Sequence, residues 1–153
     1  MDTPRHPIRL NILIVDDDQL VRDFAVNTVA FHTNRPVITL ESGFDGWQYL
    51  QQQGRDIDMV IADATIPDMD GLELLALVKR NDPRKIFILT SSNAAHEKTA
   101  VHLNADAFLA KPYDVQDLLR VIQELVRQAE PHPTSSPASC AQPGKANRAP
   151  TPP

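Results

Sequence analysis

Cysteine is almost missing from this chain: its 153 residues include one, Cys140. An intrachain disulfide is excluded, and a reducing cytosol is the simplest setting. Basic residues are also in short supply. Fifteen Lys and Arg stand against 20 Asp and Glu, giving a formal net charge of -5 and no Lys/Arg run. That balance argues against a nucleic-acid partner, because such binding rests on neutralising phosphates. Met1 to Pro7 hold no apolar leader core, and no stretch approaches the roughly 18 apolar residues of a membrane span. The protein is expected to be soluble, unexported, cytoplasmic and without a membrane partner. His6, His32, His96, His102 and His132 are scattered without zinc-ligand spacing and have no cysteine pair beside them. From Pro131 to Pro153 there is no Val, Ile, Leu, Met, Phe, Trp or Tyr. Such a segment cannot bury enough surface to offset its ordering entropy, so residues 130–153 are expected to form a disordered, Pro-rich tail.

What is present is apolar and grouped. A hydrophobic share of 42% is enough for one core. Five short runs have the composition of buried strands: Leu10 to Val15, Val37 to Leu40, Ile57 to Ala62, Ile86 to Leu89 and Ala107 to Ala110. Segments with helical spacing lie between them. The clearest is the stripe Val115, Leu118, Leu119, Ile122, Leu125, Val126 and Ala129. Asp114 with Asp117, and Asp70 with Glu73, have the spacing of helix-capping pairs. Strand alternating with helix predicts an α/β fold: a doubly wound five-stranded parallel sheet with helices on both faces. The common strand order is 2-1-3-4-5, with the ligand crevice beyond the carboxyl ends of strands one and three. One domain is expected over residues 8–129.

Four of the runs stop at a reactive or charged residue. Val15 leads into Asp16 and Asp17, Ala62 into Asp63, Leu89 into Thr90 and Ala110 into Lys111. A parallel sheet gathers these ends at one edge. Three carboxylates brought together repel by roughly 1 to 4 kcal/mol per pair. A hard divalent cation offsets this, and Mg²⁺ suits one or two direct carboxylates, a carbonyl and waters. Asp18 is expected to cap the helix that runs through Leu20, Val21 and Phe24 rather than to bind metal. Trp47 is expected to pack, as part of the second helix.

The strings ILIVDDD, Asp63-Ala-Thr-Ile-Pro-Asp-Met-Asp-Gly71, Leu-Thr90-Ser-Ser and Ala-Phe108-Leu-Ala-Lys111-Pro112 resemble, in order, the signature of response-regulator receiver domains. The match runs from Leu10 to Val126 and implies the flavodoxin-like or CheY-like version of the fold. Carried over residue by residue, the resemblance implies that Asp63 accepts a phosphoryl group with Thr90 and Lys111 as donors. It also implies that Mg²⁺ is held by Asp16, Asp17, Asp63 and the Thr65 carbonyl, and that Thr90 and Phe108 form the switch. The implied activity is signalling rather than enzymatic, with at most self-catalysed phosphorylation and dephosphorylation. A sensor histidine kinase or a histidine phosphotransfer protein would be the donor. The module would act as a monomer or as a phosphorylation-dependent dimer, either as a stand-alone receiver or as a piece of a longer regulator. Three positions depart from the pattern. Asn104 stands where Gly often opens the turn before the fifth strand, and Asn is the next best left-handed residue. Ser91 stands where Ala or Gly is frequent and is expected to narrow access to the phosphoryl group. Thr65 supplies only its carbonyl.

Two other classes share parts of this pattern. A haloacid-dehalogenase-like phosphatase also uses an aspartyl nucleophile with Thr, Lys and Mg²⁺, but it needs a second Asp where this chain has Thr65. A flavodoxin-like electron carrier needs a phosphate-binding loop after the first strand, where three aspartates stand here.

Overall fold

The computed structural model describes residues 10–33 and 37–129. The expected tail, Cys140, His6 and His132 lie outside the described residues, as do residues 8 and 9 of the expected domain. Along the chain run β1 (Ile12–Val15), α1 (Gln19–Thr33), β2 (Ile38–Leu40), α2 (Gly43–Gln53), a single 3₁₀ turn (Gly54–Asp56), β3 (Met59–Asp63), α3 (Gly71–Asn81), β4 (Ile86–Ser91), α4 (His96–His102), β5 (Ala107–Ala110) and α5 (Val115–Ala129). The strands form one parallel sheet in the order β2-β1-β3-β4-β5, as the alternating pattern predicts.

Side chains alternate across each strand, and the two faces bury separate cores. Leu13, Val15, Val60, Ala62, Phe87 and Leu89 meet Leu50, Leu74, Leu75, Val78 and Ala100 from α2, α3 and α4. On the other face Ile12, Ile14, Met59, Ile61, Ile88 and Leu109 meet α1 and α5 through Ala25, Val29, Leu118, Ile122 and Leu125. Trp47 packs against the first core, as expected. Val115 and Ala129 lie at the margins of the α5 stripe and are exposed. Among the described residues no helix is long and apolar enough to cross a membrane.

Caps and turns are set locally. Asp114 and Asp117 form a reciprocal pair, with Asp117 N–H donating to Asp114 Oδ1 at 2.8 Å and Asp114 N–H to Asp117 Oδ2 at 3.2 Å. Asp70 caps α3 by accepting from Glu73 N–H at 2.8 Å. Asn104 takes a left-handed backbone, φ 70, after α4, which is the conformation its residue type suits.

The strand ends differ from the sequence expectation. β3 includes Asp63, and β4 continues through Thr90 and Ser91, so Asp63 pairs in register with Thr90 and Ser91 with Ala110. The ladder continues through these polar residues because their backbone groups still have partners on both sides: Ala64 N–H donates to Thr90 O at 2.8 Å and Lys111 N–H to Ser91 O at 2.8 Å.

Candidate metal and phosphoryl site

Register builds the site. Val15 pairs with Ala62, so Asp16 follows β1 beside Asp63 at the end of β3. Lys111 leaves the end of β5 and reaches across both. Its ammonium donates to Asp16 Oδ2 at 2.9 Å and to Asp63 Oδ2 at 2.7 Å. Asp63 Oδ1 accepts from Thr65 N–H at 3.2 Å, and Asp16 Oδ1 from Asp18 N–H at 2.9 Å. Each carboxylate is thus aimed by one backbone amide and one shared ammonium. Asp16 and Asp63 are buried while Asp17 is exposed. Asp18 caps α1 as expected, its Oδ1 accepting from Leu20 N–H at 2.9 Å.

Charge in the pocket is unbalanced. Burial pushes the Asp16 carboxyl above the usual carboxylate range, against the downward pull of the hydrogen bonds from Lys111 and the Asp18 amide. Burial alone would lower Lys111, but its hydrogen bonds to Asp63 and Asp16 outweigh that and hold the ammonium above its ordinary value. By formal charge, one ammonium stands against two buried carboxylates with a third beside them. Carboxylate oxygens of Asp16, Asp17 and Asp63 lie within 4.8 Å of one another. An octahedron with 2.0–2.1 Å bonds separates its ligand oxygens by about 2.9 to 4.2 Å. The donor set, hard oxygens of net negative charge at separations of this order, suits Mg²⁺.

Thr90 is buried, 2% exposed, and its hydroxyl lies 3.5 Å from the Ala62 carbonyl, at the long limit for a hydrogen bond. Phe108 is half-buried against the core under α2, α3 and α4. Thr65 is exposed one residue beyond the Asp63 strand end's first neighbour.

Several participants were not singled out from sequence. Arg22 donates to the Asp16 carbonyl at 2.7 Å and to Glu41 at 3.0 Å, which fixes the turn carrying Asp16 and Asp17. Its signal was faint: an Arg four residues after the α1 cap. Tyr113 stacks at a tilt on Phe24, ring centroids 6.0 Å apart, and burial pushes its phenol up. Leu20, Val21, Phe24, Ser92, Pro112 and Tyr113 line a cleft of about 340 Å³ with Lys111 on its wall.

The Ser91 hydroxyl accepts from Asn93 N–H at 2.9 Å and lies 2.8 Å from His96 Nδ1, so it ties the first turn of α4 to β4. Helix α4 is short, His96–His102, and Ala100 is its one buried residue. With so little apolar anchorage, that tether matters. His96→Ala removes a hydrogen bond worth about 0.5–1.5 kcal/mol, so α4 amides should exchange about two- to tenfold faster while the sheet amides do not change. Hydrogen–deuterium exchange checks this, and unchanged rates over residues 96–102 would show that Ser91 does not hold the helix.

The comparisons with known proteins agree with this geometry. A family model described as the response regulator receiver domain matches residues 12–123. The response regulator MprA of Mycobacterium leprae is 31% identical over 125 residues, which are 80% of this chain and 53% of that protein. ArlR of Staphylococcus aureus is 30% identical over 118 residues, 76% of this chain and 52% of that protein. The chain thus spans about half the length of these curated relatives. A CheY-like receiver domain protein from Methanospirillum hungatei superposes with a TM-score of 0.71 at 26% identity, covering 78% of this chain and 94% of that one. Sheet order, clustered aspartates and family match together place the chain in the response regulator receiver family of two-component signal transduction.

Proposed function

We propose that this chain, as one domain over residues 8–129, is a phosphoacceptor that takes a phosphoryl group on Asp63 and uses it to switch a partner-binding surface. The observation that carries this is the Lys111 ammonium shared by Asp16 and Asp63, with Asp17 within metal-binding range. Asp16, Asp17, Asp63 and the Thr65 carbonyl would hold Mg²⁺. When bound, the ion offsets charge on the carboxylates and on the incoming phosphoryl oxygens.

The residues then divide the work. A carboxylate oxygen of Asp63 attacks phosphorus, forming an acyl phosphate as the bond from phosphorus to the donor breaks. With a phosphohistidine donor, the leaving imidazole nitrogen takes up the electron pair and then a proton from solvent. Lys111 keeps one carboxylate partner, Asp16, and turns its remaining donors to the phosphoryl oxygens. The Thr90 hydroxyl, opposite Asp63 in register, exchanges its long contact with Ala62 for an anionic acceptor. Such a bond is worth about 1.5 to 3 kcal/mol, enough to shift a two-state population roughly 10- to 150-fold. Its movement frees space for the Phe108 ring and couples the pocket to α4 and β5. The donor, a histidine kinase or phosphotransfer protein, would approach over the apolar cleft of Leu20, Phe24, Pro112 and Tyr113, which adjoins Lys111.

Intact-mass spectrometry after incubation with acetyl phosphate tests the reading. With Mg²⁺ one labile phosphate should appear; with chelator the signal should drop to background. Absence of any adduct in saturating Mg²⁺ would overturn it.

A further inference from the structure

The loop that follows Asp63, residues 64–70, is held at both its base and its tip. At the base Gly71 N–H donates to Ala64 O at 2.9 Å. At the tip Met69 N–H donates back to Pro67 O at 2.8 Å, around Asp68 at φ 71. That is the left-handed region, uncommon for residues other than glycine although Asp and Asn enter it more readily than most. A second helix also holds the loop. The Pro67 carbonyl also accepts from Gly43 N–H at 3.2 Å.

Gly43 is the first residue of α2, where a helix has N–H groups without intrahelical partners. The Ser42 side chain takes the Asp45 N–H, and the loop takes that of Gly43. The approach is so close that a Cβ on Gly43 would stand 1.8 Å from Met69 O and 2.8 Å from its carbonyl carbon. Both are backbone atoms, so the loop itself would have to move. Three residues along the same helix, a Cβ on Gly46 would instead meet the side-chain atom Val15 Cγ2 at 3.0 Å, a contact that needs a shift of only a few tenths of an ångström.

We infer that Gly43 is a positioning residue for the metal pocket. Its N–H, and the lack of a side chain that lets Met69 sit against it, fix the loop that carries Thr65 and follows Asp63. The inference rests on the phosphoacceptor reading, in which the Thr65 carbonyl is a ligand. Pocket geometry tolerates displacements of only about 0.5 Å, less than the shift an added methyl requires.

Isothermal titration with Mg²⁺ should give Gly43→Ala an affinity about tenfold or more below wild type, the usual cost of losing an outer support. Gly46→Ala, the same change on the same helix, should bind close to wild type, and thermal melting without Mg²⁺ should show both variants folded. Equal Mg²⁺ affinity in the two variants would overturn the inference. If Gly43→Ala does not fold, the wild-type protein decides by NMR: the Gly43 amide resonance should move through the Mg²⁺ titration while that of Gly54, at the far end of α2, does not. A Gly43 resonance that holds still through saturation overturns the inference while leaving the phosphoacceptor reading intact. Wild-type protein that binds no Mg²⁺ overturns both.

Discussion

Asp63→Asn should bring phosphate incorporation from acetyl phosphate down to background without unfolding the protein. The amide has nearly the shape of the carboxylate, and its oxygen can still accept the Thr65 N–H that aims Asp63 Oδ1. What it loses is the negative charge, and with it the nucleophilic strength of a carboxylate oxygen. No neighbouring carboxylate replaces it. Asp16 is buried, accepts from the Asp18 amide and from Lys111, and follows β1 rather than facing Thr90. Asp17 is exposed and belongs to the same turn. Lys111 retains one of its two carboxylates, so the folded state loses one ion pair together with the repulsions of Asp63 from Asp16 and Asp17. Stability should hold within about 1 kcal/mol of wild type. Intact mass and a urea melt on the same sample check both halves, and undiminished labelling of Asp63→Asn would mean that another group carries the phosphate.

Phe87→Ala should cost about 3–5 kcal/mol, the usual range for removing a fully buried aromatic from a core. Phe87 is 0% exposed and lies in β4, between β3 and β5. Its ring belongs to the core under α2, α3 and α4. Its backbone is fixed as well: N–H donates to Asp106 Oδ2 at 2.8 Å, and O accepts from Asp106 N–H at 2.9 Å. Asp106 in turn pairs with Lys79 at 2.7 Å. With its backbone held in this way, the strand cannot settle into the space left by the ring, so the cavity stays open and the upper part of the range is expected. Domains of this size are stable by only about 5–15 kcal/mol. The urea midpoint should therefore fall steeply with an unchanged slope. A loss below about 1 kcal/mol would mean that the core around β4 collapses readily.

The sequence made these features legible to unequal degrees, and the reasons are physical. Strand-ending Asp16, Asp63 and Lys111 could be read because parallel topology leaves the ends of neighbouring strands nowhere else to go. The Asp114–Asp117 pair and the left-handed Asn104 could be read because each involves a residue type and its near neighbours only. Arg22 on the Asp16 carbonyl, Ser91 on His96 and Gly43 on Pro67 could not. Each depends on the path of a loop, and Ser, His and Gly have many commoner uses. The reach of β4 into Thr90 and Ser91 was hidden for another reason. Apolar composition marks where a strand is buried, but a ladder ends where backbone partners end, and here they continue past the last apolar residue.

The Lys111 contacts cross 48 positions to Asp63 and 95 to Asp16. This has a bearing on how the protein is made. Synthesis runs from the amino end, so a growing chain presents its aspartates long before the ammonium that partners them exists. Pairings this distant in sequence close a large loop, and such contacts are slow to form. The pocket cannot exist until the ends of β1, β3 and β5 have been brought together in one sheet. A half-made or half-folded chain can carry every acidic residue of the site and still lack the ammonium that joins them, so the pocket is assembled only when β5 has joined the sheet.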